Sequence, residues 1–526
     1  MVFAAFSLKE NYWEEFELHQ EDIEFIYNHL LEIETPLTPQ ELISVLVEER
    51  IQKEIKAVEQ QRLDGGEIYA PKEKYDLEKQ LVFPALNWRQ GKVISKRPGW
   101  NPDYGDFEVI RVRFDDGDEK EFAAGFENHS LNEPPDVEGE NIPTAETVLA
   151  THGKLLVERL EDGLRANPDF VRIAFKWFPR ALLVDVNTGH LNLAEAVLDM
   201  AGGGPLPTSE LLKQLDLAVD DNPKLVEFSL DLALQEDPRF DEVGPAGEIL
   251  WYLKRLEPEG VQTSPLTLQY RELDYDRSLI SPEMLELEQV LDDELSPLEP
   301  ATSVGNEVTI TLLYPHWRAG TLPLTPRVRP FFPTAYETPR IRFILVDGDT
   351  GEKFPGWVAR QEGYVFGLEE WYRERELMPG SIVRIQPGKK TGEVVVKVDA
   401  QRSRRDWVRT VLVGTDGGVV FATLKQIVSA AYDERLAIAI PDMDMLDRVW
   451  QQRKQNQPPF ERTVVNMARE LTKLNTQGHV HASELYAAVN LLQRCPPGPI
   501  MALLASRPWF VHVGDLHYRF NDSEMK

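Results

Sequence analysis

The sequence predicts a multidomain α+β protein, built from a helical unit with a β-hairpin that occurs three times and from two β-rich modules set between the copies. Three observations carry that expectation. The chain has 526 residues, several times the roughly 150 of a single domain. A short motif ending in Glu-Leu recurs at three separated places, and two stretches between them alternate apolar and polar residues with the period of two that marks strands. Hydrophobic residues make up 42% and aromatics 9% of the chain, enough for several cores despite the acidity and not the composition of a disordered polymer.

The motif reads Thr35-Pro36-Leu37-Thr38-Pro39-Gln40-Glu41-Leu42 in the first copy, Gly204-Pro205-Leu206-Pro207-Thr208-Ser209-Glu210-Leu211 in the second and Gly478-His479-Val480-His481-Ala482-Ser483-Glu484-Leu485 in the third. Each sets a turn and an apolar residue before a polar helix start, and Thr38 with Glu41 has capping-box spacing. An apolar-periodic helix precedes each motif. Its face is Ile23, Ile26, Tyr27, Leu30 and Leu31 in the first copy, Leu191, Leu193, Val197 and Leu198 in the second, and Val464, Met467, Leu471 and Leu474 in the third. Downstream, Phe240 to Gly244 followed by Ile249 to Leu253, and Phe510 to Gly514 followed by Leu516 to Phe520, read as β-hairpins. In the first copy the hairpin is expected from Gly65-Gly66 through Ile68-Tyr69 to Leu81-Val82-Phe83.

Helix, short strand, helix, helix, hairpin is the winged-helix plan, an elaborated helix-turn-helix. The second and third copies resemble the winged-helix domain of the bacterial RNA polymerase delta subunit, on Asp237-Pro238-Arg239-Phe240 through Gly244 to Trp251 and on Arg507-Pro508-Trp509-Phe510 through Gly514 to Tyr518. The organisation expected is three winged helices at 15–80, 142–257 and 440–522. The third helix of the second copy, Pro223 to Glu236, sets Glu227, Asp231 and Glu236 against Lys224, so its outward face repels phosphate. The third copy has no charge over Pro499 to Ala505. Both are expected to pack against protein. In the first copy Arg50, Lys53, Lys56 and Arg62 stand among Glu48, Glu49, Glu54 and Glu59, which leaves DNA and protein equally open.

Gly91 to Ile94, Phe107 to Phe114 and Glu121 to Ala123 are strand-like, and Asp115-Asp116-Gly117-Asp118 makes a turn, so a small SH3-like β-barrel is expected at 81–131. Lys92, Lys96, Arg97, Arg111 and Arg113 form a basic patch on it, accompanied by Trp88, Trp100 and Tyr104. Packing, a protein partner and nucleic acid are all open for this module.

Residues 304–400 carry the most specific pattern. Strands are expected at Thr309 to Leu313, Ile341 to Val346, Phe354 to Arg360, Tyr364 to Phe366, Gly380 to Ile385 and Glu393 to Val398, with a basic extended stretch at Leu322 to Phe331 and a short helix at Leu368 to Arg375. On Phe354 to Arg360, Tyr364 to Tyr372 and Leu377 to Val383 this order resembles the DNA-binding pseudobarrel of the plant B-three domain family and of some restriction-enzyme effector domains. Ser381 stands where that family has an acidic residue. The resemblance implies two arms that grip the major groove, one near Arg327 and Arg329 and one near Trp357 and Arg360. Arginine suits both, since its fork pairs a guanine edge or a phosphate. Lys389, Lys390, Arg402, Arg404 and Arg405 add positive charge.

Asn132 to Pro143 and the 258–303 stretch, with Asp292-Asp293-Glu294, read as solvated linkers. Residues 401–439 read as a connector: a hairpin of Trp407 to Val413 with Val419 to Phe421, then a helix at Leu424 to Tyr432. Gly202-Gly203-Gly204-Pro205 reads as a hinge.

The net charge of -31 argues against a surface that coats nucleic acid throughout, yet the acidic excess lies wholly in residues 1–303, while 304–412 is net basic. No run approaches the roughly 18 apolar residues of a membrane helix, and the start lacks the basic flank of a secretory signal. Cys495 is the only cysteine, which excludes an internal disulfide and multi-cysteine metal sites and fits a reducing cytoplasm. No phosphate-binding glycine loop is present. His479, His481, His512 and His517 read as surface residues, Asp347-x-Asp349-x-Gly351 as a hairpin turn and Cys495 as an inert thiol. The expected protein is therefore a cytoplasmic, non-enzymatic, DNA-binding or transcription-associated one, without cofactor or metal. Its pseudobarrel would contact double-stranded DNA, and its acidic winged helices a basic protein such as RNA polymerase. The alternative is a protein-interaction scaffold with no nucleic-acid contact. The acidic half would also compete with DNA for the basic module, so its deletion would tighten DNA binding.

Overall fold

In the computed structural model, the described residues are 12–63, 66–86, 89–102, 105–114, 117–127, 129–132, 144–215, 217, 222–299, 305–414 and 417–524. They form a mixed α+β chain divided into two compact units. The first comprises Met1–Asp185 with Val219–Ser229, and the second Val186–Ala218 with Leu230–Lys526.

In the first unit, α1 (Gln20–Ile33) buries Ile26 and Leu30 on its expected face. The expected capping box opens α2 (Pro39–Leu63): Thr38 N donates to Glu41 Oε2 at 2.8 Å and Glu41 N to Thr38 Oγ1 at 3.3 Å. Arg50 of α2 does not face solvent as a DNA contact would. It pairs with Asp22 and lies 4.4 Å from the Phe16 ring centroid.

The first hairpin is not where it was expected. β1 (Glu67–Ile68) pairs in parallel with β2 (Gln80–Phe83), which successive arms of a hairpin cannot do. Both belong to a five-stranded sheet ordered β1-β2-β3-β4-β5, with β3 (Arg89–Asn101), β4 (Gly105–Phe114) and β5 (Glu119–Ala124). Tyr69, Tyr75, Leu81, Phe83, Val93, Ile110 and Phe114 make its core. The five cations of its basic patch are all matched by carboxylates: Lys92 by Glu78, Lys96 by Asp76, Arg97 and Arg111 by Glu121, and Arg113 by Glu119. Arg97 and then Arg111 hold Glu121 down at about 2. Trp100 is exposed, whereas Trp88 and Tyr104 lie outside the described residues, as does nearly all of the Asn132 to Pro143 stretch.

The first copy is completed after that sheet. α3 (Ala145–Arg165), capped by Thr144, buries Leu156, Leu160 and Leu164 and leads to β6 (Phe170–Ile173) and β7 (Lys176–Pro179). These two pair antiparallel across a turn at Ala174 and Phe175, both in the left-handed region, as a two-residue hairpin turn requires. Leu37, the apolar residue of the motif, bridges Trp177 of β7. The first copy is thus α1, Leu37, α2, α3 and the β6–β7 hairpin, and the five-stranded sheet is an insertion between its second and third helices. Asn167-Pro168-Asp169-Phe170 is the counterpart of Asp237-Pro238-Arg239-Phe240 and Arg507-Pro508-Trp509-Phe510. Neither 15–80 nor 142–257 is accordingly one winged-helix segment, because α3, β6 and β7 belong with α1 and α2.

The second copy runs through α4 (Thr188–Met200), β8 (Leu206–Pro207), α5 (Thr208–Leu212), α6 (Pro223–Glu236), β9 (Phe240–Glu242) and β10 (Leu250–Leu253), with sheet order β8-β10-β9. Asp231 is not outward. It is buried and accepts from Trp251 Nε1 at 2.9 Å and from Thr208 Oγ1. Gly203-Gly204 is no hinge either: Gly203 O accepts from Leu253 N at 2.9 Å, and a Cβ on Gly204 would stand 2.5 Å from Trp251 O.

The 258–303 stretch, expected as a solvated linker, is packed as far as it is described. It forms α7 (Glu259–Gln262), short 3-10 turns and α8 (Pro282–Leu291), burying Val261, Ile280 and Met284. A seven-stranded, half-barrel sheet follows, made of β11 (Val308–Thr311), β12 (Thr321–Pro323), β13 (Arg340–Asp347), β14 (Lys353–Ala359), β15 (Tyr364–Phe366), β16 (Ile382–Pro387) and β17 (Glu393–Val398). α9 (Tyr314–Ala319) and α10 (Glu369–Glu374) lie between its strands in sequence, and the order is β11-β16-β17-β13-β14-β15-β12. Asp347 accepts from the Asp349 and Thr350 amides, both at 2.8 Å, so the aspartate-rich turn between β13 and β14 is held by its own first carboxylate.

The expected helix at Leu424 to Tyr432 is instead strand: β18 (Ala400–Val413) and β19 (Val419–Ala430) form a long hairpin. Ile427 and Val428 are β-branched, and Val428 and Ala430 bury alternately with Ile427 and Ser429, a period of two. Last come α11 (Met443–Gln455), α12 (Phe460–Thr472), β20 (His479–His481), α13 (Ala482–Asn490), α14 (Pro497–Ser506), β21 (Phe510–Gly514) and β22 (His517–Phe520). The sheet order β20-β22-β21 repeats that of the second copy.

A buried ion pair ties this third copy to the supposed linker. Arg494 and Asp293 are both 0% exposed, with Arg494 Nη2 2.7 Å from Asp293 Oδ1 and 2.7 Å from Glu294 Oε1. Glu294 also contacts His316 Nε2 at 3.0 Å, and His316 Nδ1 lies 2.9 Å from Thr321 Oγ1. Burial works against the charge of the guanidinium, and the two carboxylates more than offset it. Asp293→Ala removes the fully buried partner, leaves the charge to Glu294 alone, and is expected to lower the stability of the second unit by about 3–5 kcal/mol. Arg255→Ala, at the exposed pair with Asp199, should cost under about 1 kcal/mol. Urea unfolding of both variants checks the contrast.

Candidate nucleic-acid interface

Strand directions in the seven-stranded sheet decide where its loops gather. β13 is antiparallel to β14, the alternation continues through β15 and β12, and β17 is parallel to β13 but antiparallel to β16. One end of the sheet therefore collects residues 324–339 after β12, the 360–363 turn after β14 and the 388–392 turn after β16. Arg327, Arg329, Arg360, Lys389 and Lys390 all lie on these three loops.

All five are exposed, and four of them lack the ion-pair partner that the fifth has. Arg329, Arg360, Lys389 and Lys390 are exposed, and among the described residues no carboxylate lies within ion-pair distance of them. Arg329 and Arg360 line one cleft of about 410 Å³ with Leu324, Phe332, Tyr336, Glu337 and Val358. Arg360 Nη1 donates to Thr338 O at 2.7 Å, which aims the side chain across the loops. Arg327 is engaged differently: its Nη1 is 3.7 Å from Asp292 Oδ2, a carboxylate that also accepts from Thr325 Oγ1 at 2.9 Å.

Trp357 is not an arm residue. It is 3% exposed and meets Tyr252 of β10 edge-on, with ring centroids 5.2 Å apart. The hairpin of the second copy covers this flank of the sheet. Arg342 N donates to Val243 O at 2.9 Å, Ala246 N to Thr334 O at 2.6 Å and Arg340 Nη1 to Asp241 Oδ2 at 2.8 Å. The guanidinium of Arg342 sits over both the Tyr252 and Trp357 rings. Sequence reasoning overlooked Arg340 and Arg342, although both occupy the alternate positions of β13 opposite its buried Ile341, Phe343 and Leu345.

The remaining candidates sit elsewhere. β17 runs away from the 388–392 turn and hands over to β18, so Arg404 and Arg405 lie beyond the opposite end of the sheet. Arg404 pairs with Asp406 at 3.0 Å, Arg405 stands opposite Ile427 on the hairpin, and the Arg402 side chain is outside the described residues. The nine predicted residues therefore divide into a cluster at the sheet end, a core tryptophan and a separate run.

No protein-family model, curated protein or solved structure matches this chain.

The other chemistry-bearing side chains resolve simply. His479, His481 and His517 come together, with ring centroids 4.8 and 4.9 Å apart. Contrary to a surface role, His481 is buried, where it accepts from Ser483 N at 3.1 Å as the cap of α13. Burial and then Arg435 push its pKa down to about 4, so it stays neutral. No group of three or more His, Cys, Asp or Glu among the described residues has a metal-holding arrangement. Cys495 is fully buried, which pushes its thiol well up.

The contact between the second hairpin and the sheet carries two carboxyls out of their ordinary range. Burial pushes Glu242 up to about 7 against the Gly244 and Leu250 amides. Burial, then the neighbouring Asp241, raise Glu257 even though Arg340 stands 3.5 Å away. Both groups hold their protons in the folded state after the unfolded chain has released them. The second unit is therefore expected to lose stability as pH rises from 4.5 towards about 7. Urea midpoints across that range should fall, and Glu242→Gln should flatten the decline.

Proposed function

We propose that this chain is a non-enzymatic, DNA-binding protein of the cytoplasm, whose nucleic-acid surface is the loop-bearing end of the seven-stranded sheet. The carrying observation is that Arg329 and Arg360 line one cleft and that they, with Lys389 and Lys390 on a loop at the same sheet end, have no carboxylate within ion-pair distance among the described residues. Exposed cations left unmatched on the loops of one sheet end are a natural seat for a polyanion. In this reading the sheet is a pseudobarrel similar to the plant B-three type, gripping DNA with the 324–339 and 360–363 loops. The Lys389-Lys390 turn flanks them in place of the Trp357 arm.

The three helix, strand, helix, helix, hairpin units are read as winged helices of the polymerase delta-subunit kind, and the five-stranded insertion as an SH3-like barrel. Leu37 in the first copy, β8 in the second and β20 in the third pair with the last strand of their own hairpin, as that plan requires. The acidic copies serve a basic protein partner such as RNA polymerase. A scaffold without DNA contact is the second reading, favoured by Asp292 on Arg327 and Tyr252 on Trp357.

The test uses the full chain, because residues 304–412 alone would lack Asp292, Glu294 and the β10 face. Duplex DNA should bind with an affinity that falls as salt rises. Arg329→Ala with Arg360→Ala should weaken binding on every sequence and reduce the salt slope by about 2. Equal binding by the double variant, or none by the wild type, favours the scaffold.

A further inference from the structure

A second cationic concavity lies in the second unit, away from the sheet end and sharing no residue with it. It has a volume of about 270 Å³ and is lined by Leu266, Gln269, Tyr270 and Arg271 from the stretch before α8, by Trp450, Arg453 and Lys454 from the end of α11 with Gln457 just beyond it, and by Leu492, Gln493 and Arg494 from the α13–α14 loop. Its charge is one-sided: four of the lining residues are Arg or Lys and none is Asp or Glu. In a chain with 88 Asp and Glu against 57 Lys and Arg, a concave surface without a carboxylate is far from the average composition.

Only one of these cations is satisfied. Arg494 is neutralised by Asp293 and Glu294. Arg271, Arg453 and Lys454 have no carboxylate within ion-pair distance among the described residues. Arg453 is partly buried and makes one hydrogen bond there, to the neutral Thr463 Oγ1 at 3.2 Å. Burial works against its charge, and no acidic neighbour offsets it. Such a guanidinium is unfavourable unless an anion joins it. Two further polar atoms at the site are buried without a partner: Gln493 Oε1, in a residue 6% exposed, and Arg494 Nε.

The walls are apolar. Trp450 Nε1 donates to Leu491 O at 2.8 Å, which fixes the indole, and Leu266, Tyr270 and Leu492 line the site with it. Cations over a rigid aromatic and aliphatic wall suit a ligand with an anionic head and a flat or apolar body. The small volume limits it to about the size of a nucleoside monophosphate. We propose that this cleft binds a small phosphate monoester, its phosphate held by Arg271, Arg453 and Lys454 and its organic part laid against Trp450 and Leu492.

Calorimetric titration of the full-length protein with AMP, phenyl phosphate and adenosine tests this. At least one of the two phosphate esters is expected to bind saturably, and adenosine, which lacks the phosphate, much more weakly. Arg271→Ala with Lys454→Ala removes two exposed side chains that form no ion pair among the described residues, so its thermal midpoint should match the wild type. That variant should weaken binding of the ester about 10- to 100-fold. Absence of saturable binding by both esters, equal binding by wild type and variant, or adenosine binding as tightly as AMP would each overturn the proposal. Because Arg329 and Arg360 take no part, the outcome is independent of the DNA titration.

Discussion

The second unit depends on one electrostatic constraint: Arg494 has been taken wholly out of water and must be met by carboxylates. An isolated buried guanidinium would be prohibitively unfavourable, and the attraction to Asp293 and Glu294 offsets the desolvation of all three only while their geometry is kept. What the pair supplies is register more than net stability. It pins the residues just after α8 against the α13–α14 loop, and through His316 and Thr321 it reaches the start of β12. The third copy consequently shares a core with α8 and α9, in which Tyr314 meets Trp450, and Val411, Val419 and Phe421 of the long hairpin join them. A segment that sequence composition marks as a solvated linker is in fact the key of the assembly.

The three copies show how one plan tolerates different burdens. In each, a strand of one to three residues before the second helix pairs with the last strand of the hairpin, and this small sheet closes the helices. The loop between the second and third helices takes no part in that closure. Lengthening it costs only slowly growing loop entropy, which is why the first copy can carry five strands there. The second copy uses its hairpin differently, laying Val243 and Tyr252 against Trp357 and covering a flank of the seven-stranded sheet.

Periodicity made most elements legible. The ends of α6, β15 and β17 fall where the apolar pattern and its turn residues place them, and the Thr38–Glu41 box caps α2 as its spacing predicts. Contiguity failed. The next apolar run after α2 is not the first hairpin, whose marker, Asn167-Pro168-Asp169-Phe170, lies beyond the insertion. Leu424 to Tyr432 reads as a helix because a short apolar run fits that period as well as a strand's, and pairing with β18 makes it strand as far as Ala430. The sheet-end cations could be named from their loops, but whether each is matched depends on partners distant in sequence. Asp292 on Arg327 and Tyr252 on Trp357 are examples that local pattern does not contain.

The charge asymmetry acquires a different meaning from these partners. If the acidic half were a detachable competitor for the basic module, its removal would free cations. Yet Asp241 and Glu257 sit on Arg340, Asp292 on Arg327 and Asp293 on Arg494, so residues before 304 complete the fold of the sheet and of the third copy. Deleting them would expose Trp357 and leave Arg494 buried and alone, and the product would lose structure before it gained affinity. Any electrostatic competition is confined to pairs that are exposed and long. Arg327 with Asp292, at 3.7 Å, comes nearest: its arginine is about half exposed and already partly hydrated, while its carboxylate is 7% exposed and would be left buried without its cation if a phosphate drew the arginine away. Buried pairs set the shape of the sheet end, while its unmatched and loosely matched cations are left to meet an anion.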